Sequence, residues 1–219
     1  MRRRLTYSAA LLVATGFLTF GFAGAQKAAA DDVVPSGGSI IPKVLVMPRE
    51  GSEDVGFMLK HEVEPMLGML KEAGFTPVIA SASGSPFDGG GQHLDTDLSM
   101  REVIVSQYVG VLLPCMAAGT SRQVPEEAVR IVREAAAAGK PIAAQQGSVL
   151  VLDAAGLLDG RRYAMASPMS VHGIYAGYGV VRDGNIVTSG VCPMQAMERR
   201  RPDGTQELAR QFIQMLSGR

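Results

Sequence analysis

Two cysteines, Cys115 and Cys192, carry the most versatile chemistry in this 219-residue chain. A thiolate can attack an electrophile, ligate a soft metal or join a second thiol in a disulfide. With Met116, Met194 and Met197, the two cysteines make up a soft-ligand set suited to Cu(I). Methionine at helical spacing is more often core filling, however, and 12 methionines spread along a chain need no metal. Cys115 has no base beside it in sequence, so it enters only as an alternative nucleophile. Ser148 is the hydroxyl to weigh against it, following Gln145-Gln146-Gly147 and preceding the apolar run from Val149 to Val151. No Gly-x-Ser-x-Gly pattern surrounds Ser148, and a serine opening a helix commonly bonds the free backbone N–H groups there. The expectation for Ser148 is therefore a helix N-cap, with a shifted nucleophile as the alternative. Histidine occurs only at His61, His93 and His172. His172 lies in a Gly-rich loop, which fits a structural or exposed ring better than a catalytic base.

Strands and helices must bring such residues together, and their order can be read from the pattern. Lys43 to Met47 is a short β-branched apolar run suited to a strand buried on both faces. Met58, Val63, Met66, Leu67 and Leu70 then recur at helical spacing until Gly74 stops the helix. Phe75 to Ala80 reads as a second strand, with Pro77 suiting an edge or a strand start. Ser81 to Gln92 reads as a Gly, Ser and Pro loop. Val109 to Pro114 is a further strand, and Pro125 to Ala138 a helix opened by proline and acids and closed at Gly139. Pro141 to Ala144 gives a strand, Ser148 to Ala155 a short helix, and Val180 to Thr188 a hairpin turning at Asp183-Gly184. Gln206 to Leu216 is a closing amphipathic helix. This alternation predicts an α/β domain with a mostly parallel sheet covered on both faces.

The N-terminus reads as an export signal. Arg2, Arg3 and Arg4 precede an apolar stretch from Ser8 to Phe22, and Ala23-Gly24-Ala25 supplies small residues for cleavage. The expected organisation is a signal peptide over 1–25, a flexible segment over 26–42 and one domain over 43–219. The expected location is periplasmic or secreted, with the membrane touched only through the export signal. Setting residues 1–25 aside removes three of the 21 basic residues and none of the 21 acidic ones, leaving 18 and a net charge of −3. That balance argues against nucleic acid or an anionic membrane as the main partner. In an oxidising compartment a pair of cysteines often bridges, and two cysteines allow one intramolecular pairing.

The segment Lys140-Pro141-Ile142-Ala143-Ala144-Gln145-Gln146-Gly147-Ser148, followed by Ala154-Ala155-Gly156-Leu157-Leu158-Asp159-Gly160, resembles the nucleophile-elbow region of the ThiJ/PfpI family. There the run usually reads Lys-Pro-Ile-Ala-Ala-Ile-Cys-His-Gly. Gly184-Asn185-Ile186-Val187-Thr188-Ser189-Gly190 is similar to a second family segment, and the likeness extends over roughly Lys43 to Leu216. It implies a flavodoxin-like three-layer sandwich and, in many members, a homo-oligomer. Counted without gaps, Gln146 takes the position of the reactive cysteine. An amide cannot form the covalent adducts that a thiolate forms.

The resemblance also places the other parts of the site. Glu62 is preferred over Glu64 as the acid that reaches the elbow, solvated surface carboxylates being the plain alternative for either. Ser167 falls where the family's histidine base stands. Pro114-Cys115-Met116-Ala117-Ala118-Gly119 replaces a glycine loop whose N–H groups approach a substrate oxygen, and the side chains of Cys115 and Met116 are expected to crowd or reshape it. Cys115 and Cys192 both border the same pocket in the family fold, which makes a disulfide between them an expectation. Joint loss of nucleophile, base and glycine loop points to a small-molecule-binding or scaffold protein without cofactor or metal, its vestigial site being Gln146, Glu62, Ser148 and Ser167. A hydrolase, deglycase or lyase acting through Cys115 or Ser148 is the alternative, and a redox or copper-binding protein the minor one. The ligand, whether small molecule or protein, is not readable from these residues.

Overall fold

The first apolar run forms β1 (Lys43–Val46), and its alternate side chains enter two different cores. A computed structural model describes residues 41–117, 124–168 and 172–218, and these belong to a unit running from Ser39 to Arg219. The expected signal peptide and nearly all of the segment over 26–42 lie outside the described residues. After β1 the chain enters α1 (Val55–Met58), where the Asp54 Oδ1 accepts the Phe57 N–H at 2.9 Å and caps the helix. A wide π turn over Leu59–Val63 links α1 to α2 (Glu64–Glu72). Gly74, at φ +85°, ends that helix as its sequence position requires.

β2 (Thr76–Ser81) follows. The segment expected to be a bare loop instead holds a hairpin, β3 (Phe87–Gly89) with β4 (Gln92–Leu94), turning through Gly90-Gly91 at φ +55° and +77°. Two glycines in the left-handed region are a standard hairpin turn, a signal hidden here by the polar composition around it. Then come β5 (Leu98–Ser99), β6 (Gly110–Leu113), α3 (Glu126–Ala137), β7 (Ile142–Gln145) and α4 (Val149–Ala154). A small pair, β8 (Arg162–Tyr163) and β9 (Ile174–Tyr175), precedes the expected hairpin β10 (Val180–Asp183) and β11 (Ile186–Ser189). A further helix, α5 (Pro193–Arg199), precedes α6 (Thr205–Leu216).

Seven strands form one sheet in the order β10-β11-β7-β6-β1-β2-β5. Every pairing is parallel except β10 with β11 at one edge. Pro77 pairs with Val44 of β1, while β5 touches β2 only at Ala80 and Ser81, so the missing N–H faces no strand on its outer side. Leu45, Val111, Leu113, Ile142 and Ala144 pack with Ile131, Val132 and Leu152 of α3 and α4. Val44, Val46, Leu112, Ala143 and Val187 pack with Met66 and Leu70 of α2 and Phe212 of α6. This is the α/β sandwich with a mostly parallel central sheet that the alternation predicted. Among the described residues no helix is long and apolar enough to cross a membrane.

Candidate functional site

From β1 the chain steps one way to β2 and the other way to β6, which makes the C-terminal ends of β1, β6 and β7 the crevice where ligands bind in open α/β sheets. β7 turns at once into a 3₁₀ turn over Gln146–Ser148 and then α4. This strand-to-helix bend puts Gln146 at φ +38°, a conformation that costs a non-glycine residue roughly 1–2 kcal/mol. A strained residue at such a bend is the geometry of a nucleophile elbow, and its side chain here is half-buried and carries an amide.

The facing loop after β6 carries the other half of the site. Met116 and Ala117 adopt φ +55° and +44°, so the loop keeps left-handed backbone at Met116 and Ala117 despite their Cβ atoms. The expected crowding is thus absorbed as backbone strain. Positions 118 and 119 of this segment lie outside the described residues. Cys115 is buried, and its Sγ lies 2.8 Å from the Gln146 Oε1, to which it donates. A Cβ on Gly147 would stand 3.5 Å from the same sulfur and would collide with the Arg49 guanidinium. The glycine leaves the Arg49 guanidinium its present place beside the elbow, whereas Cys115 would tolerate an added Cβ at ordinary contact distance.

Glu62, on the π turn, is completely buried, whereas Glu64 is exposed. Its Oε1 accepts the Cys115 N–H at 2.9 Å and its Oε2 accepts the Met116 N–H at 2.7 Å. Those are the loop N–H groups that would otherwise be free for a substrate oxygen, and the carboxyl holds both. Burial pushes the Glu62 carboxyl up to about 8, with the neighbouring Cys192 and Asp203 adding to the rise and the two backbone donors opposing it.

Ser148 is buried and donates its hydroxyl to the Pro114 carbonyl at 2.7 Å. It precedes α4 with helical backbone angles and makes no capping bond, which corrects the expectation of an N-cap. Its hydroxyl is a clasp between elbow and facing loop. Gln145, one residue before the elbow, points the other way, its Nε2 donating to the Val191 carbonyl at 3.1 Å and the Thr205 Oγ1 at 2.9 Å.

Both cysteines are buried free thiols, so the expected bridge is not formed in this structure. The neighbouring Cys192, then burial, hold the Cys115 thiol up, while Cys115 and the backbone N–H groups of Gln195 and Met194 draw the Cys192 thiol down against the opposing effect of burial. Of the soft-ligand set, Met116 is fully buried while Met197 is 61% exposed, so the five side chains do not converge. Ser167 and His172 are both exposed, and no hydrogen bond joins either side chain to Gln146 or Glu62 among the described residues. His61 lies against Phe57 with ring centroids 4.5 Å apart, and His93 sits between Asp88 and Asp95 on the β3–β4 hairpin. The elbow therefore has no histidine among its described neighbours.

Sequence reasoning missed Arg49 and the part played by Cys192. The basic residue follows β1 directly, a position worth inspecting in any fold of this kind. Cys192 precedes a helix signalled only by its Pro193. Arg49 also borders a cavity of about 100 Å³ with Met47, Glu50, Leu113, Ala128 and Val151. That volume suits a small molecule of a few heavy atoms rather than a drug-sized ligand.

The sequence model of the DJ-1/PfpI family matches residues 42–198. A deglycase of Pyrococcus abyssi (strain GE5 / Orsay) is 30% identical over 155 residues, covering 68% of this chain and 90% of the archaeal protein. Among solved structures, a ThiJ/PfpI domain protein from Brachyspira murdochii is similar with a TM-score of 0.64 at 16% identity, over 81% of this chain and 97% of its own. DJ-1beta of Drosophila melanogaster is similar with a TM-score of 0.62 at 21% identity, over 81% and 91% respectively. At those identities the two structures speak for the fold.

Proposed function

The chain belongs to the DJ-1/PfpI family, and from that membership we propose that it has kept the fold and the crevice but given up the elbow-thiol reaction. It serves as an exported small-molecule-binding or scaffold protein, assembling with further copies of itself. The observation that carries this reading is that the groups of the would-be catalytic site satisfy one another. Gln146 holds the elbow position and accepts from Cys115, and Glu62 occupies the N–H groups of Cys115 and Met116. Nothing is left poised to attack a carbonyl or to stabilise the oxygen that would become charged. The cavity beside Arg49 offers the binding space, with one cationic and one acidic residue at its rim.

The second reading, a hydrolase, deglycase or lyase, is favoured by the likeness to the archaeal deglycase. It needs Cys115 or Ser148 as nucleophile. Cys192 beside it and burial hold the Cys115 thiol up and so protonated, and the Ser148 hydroxyl is committed to a backbone carbonyl. Purified protein assayed for aldehyde consumption and ester and peptide hydrolysis decides between the two. No turnover in the native chain is the expected result. Turnover that disappears in Cys115→Ala or Ser148→Ala would establish the enzyme reading in its place.

A further inference from the structure

The cavity beside Arg49 and the Glu62 carboxyl belong to opposite faces of the sheet. The cavity's buried walls, Met47, Met100, Leu113, Ala128 and Val151, are part of the core under α3 and α4. The turn that carries Glu62 packs through Leu59 and Val63 into the other core. We infer that the cavity takes a short-chain aliphatic monocarboxylate, with its tail among the apolar walls and its carboxylate on the Arg49 guanidinium. The inference rests on the small-molecule-binding reading and names the class of molecule bound.

Size and polarity select the tail. An apolar protein cavity of about 150 Å³ holds benzene, so one of about 100 Å³ accommodates about four carbons. None of the five walls is more than 3% exposed. Their side chains offer a polar tail at most weak sulfur acceptors, so burying one there is costly.

Charge at the mouth selects the head group. The Arg49 guanidinium is half-buried and reaches the elbow, where a Cβ on Gly147 would collide with it. A guanidinium has five N–H donors in a planar fork, enough to hold a carboxylate bidentately while also bonding the protein. Glu50, the acid at the rim, is exposed and turned to the loop after β2. Its Oε1 accepts the Ser83 N–H at 2.8 Å and the Ser83 hydroxyl at 2.7 Å. Water screens that carboxylate more than it screens the half-buried cation, so the field in the cavity favours an anion. The opening turn of α3 lines the cavity through Pro125 and Ala128, adding the positive end of its dipole. Of the two acids in that turn, Glu127 pairs with Arg101 at 3.0 Å and Glu126 is exposed.

The test titrates the full chain with butanoate, butanamide and butylamine by ligand-observed NMR, reading a dissociation constant for each. Butanoate is expected to bind about tenfold or more tightly than the other two, as a charge-assisted contact supplies. Arg49→Gln should weaken butanoate about tenfold or more and leave butanamide unchanged. Ala128→Leu, which keeps Arg49 and fills the cavity, should abolish butanoate binding. Circular dichroism checks that each variant folds, and if Arg49→Gln does not, Ala128→Leu and the three probes on the native chain still decide. No butanoate binding, or butanoate binding unchanged in either folded variant, overturns the proposal. Equal or tighter binding of butanamide or butylamine also overturns it, while leaving the small-molecule-binding reading in place. That reading falls instead to turnover lost in Cys115→Ala or Ser148→Ala, whatever butanoate does.

Discussion

Left-handed backbone falls on different residues in two parts of this molecule. At the outer turns it falls on glycine, as at Gly74, Gly90, Gly91, Gly139 and Gly184. At the crevice it falls on Met116, Ala117 and Gln146, and outside both groups only Arg200 adds a further described non-glycine case. The outer turns are relaxed, since glycine reaches those angles without a Cβ clash. The crevice is strained by roughly 1–2 kcal/mol per residue and persists because other bonds hold it. Those bonds are the paired N–H donations to Glu62, the Cys115–Gln146 contact and the Ser148 clasp. The contrast teaches that side-chain contacts can hold the crevice in left-handed backbone at positions where no glycine stands.

The strongest way to break that contrast is to remove the carboxyl. Glu62→Ala leaves two buried N–H groups without an acceptor, at about 1–3 kcal/mol each. Urea unfolding should show a loss of about 2–6 kcal/mol, and a loss under 1 kcal/mol would mean that Glu62 does not hold the loop.

Titration probes the same carboxyl more gently. Its folded value of about 8 stands above the ordinary 4.5, so the folded state binds more protons between those limits. Stability from this group is therefore full below about pH 4.5 and falls as pH rises towards about 8, by up to about 1.4 kcal/mol per pH unit. Glu62→Gln should flatten the slope between pH 5 and pH 8, and an equally steep slope in that variant would assign the effect elsewhere.

Exchanging the residue types between the two regions gives opposite signs. Gly139→Ala meets no atom within 4 Å but must hold φ +68°, and should cost about 1–2 kcal/mol in thermal unfolding. Ala117→Gly should gain about 1 kcal/mol by relieving the same kind of strain. Equal signs for the two substitutions would erase the distinction. The smallest effect is expected at the clasp, where Ser148→Ala should lose about 1 kcal/mol through the orphaned Pro114 carbonyl, read by denaturant midpoint.

Much of this was legible beforehand. Alternating runs such as Lys43 to Met47 and Pro125 to Ala138 named their elements, because buried parallel strands and capped helices write strong local patterns. Gln146 at the elbow was legible by counting from Lys140. The Cys115–Gln146 contact was not, since it joins residues at the ends of neighbouring strands, 31 apart in sequence. Ser148 had the right position for a cap, but the turn before α4 already carried helical angles, which aimed its hydroxyl at Pro114 instead. The β3–β4 hairpin escaped notice because its strands are three residues each and lack an apolar run.

The π turn at Leu59–Val63 has a consequence for insertions and deletions in this chain. It holds one residue more than an α turn would, and each helical residue advances the helix by about 100°. Removing one residue there would shift Glu62, which sits on that turn, relative to the helix on one side of it. The loop after β6 would then lose the carboxyl that holds the N–H groups of Cys115 and Met116 without any change to the loop itself. A one-residue length change in this stretch is thus a stronger lever on the site than most single substitutions around it.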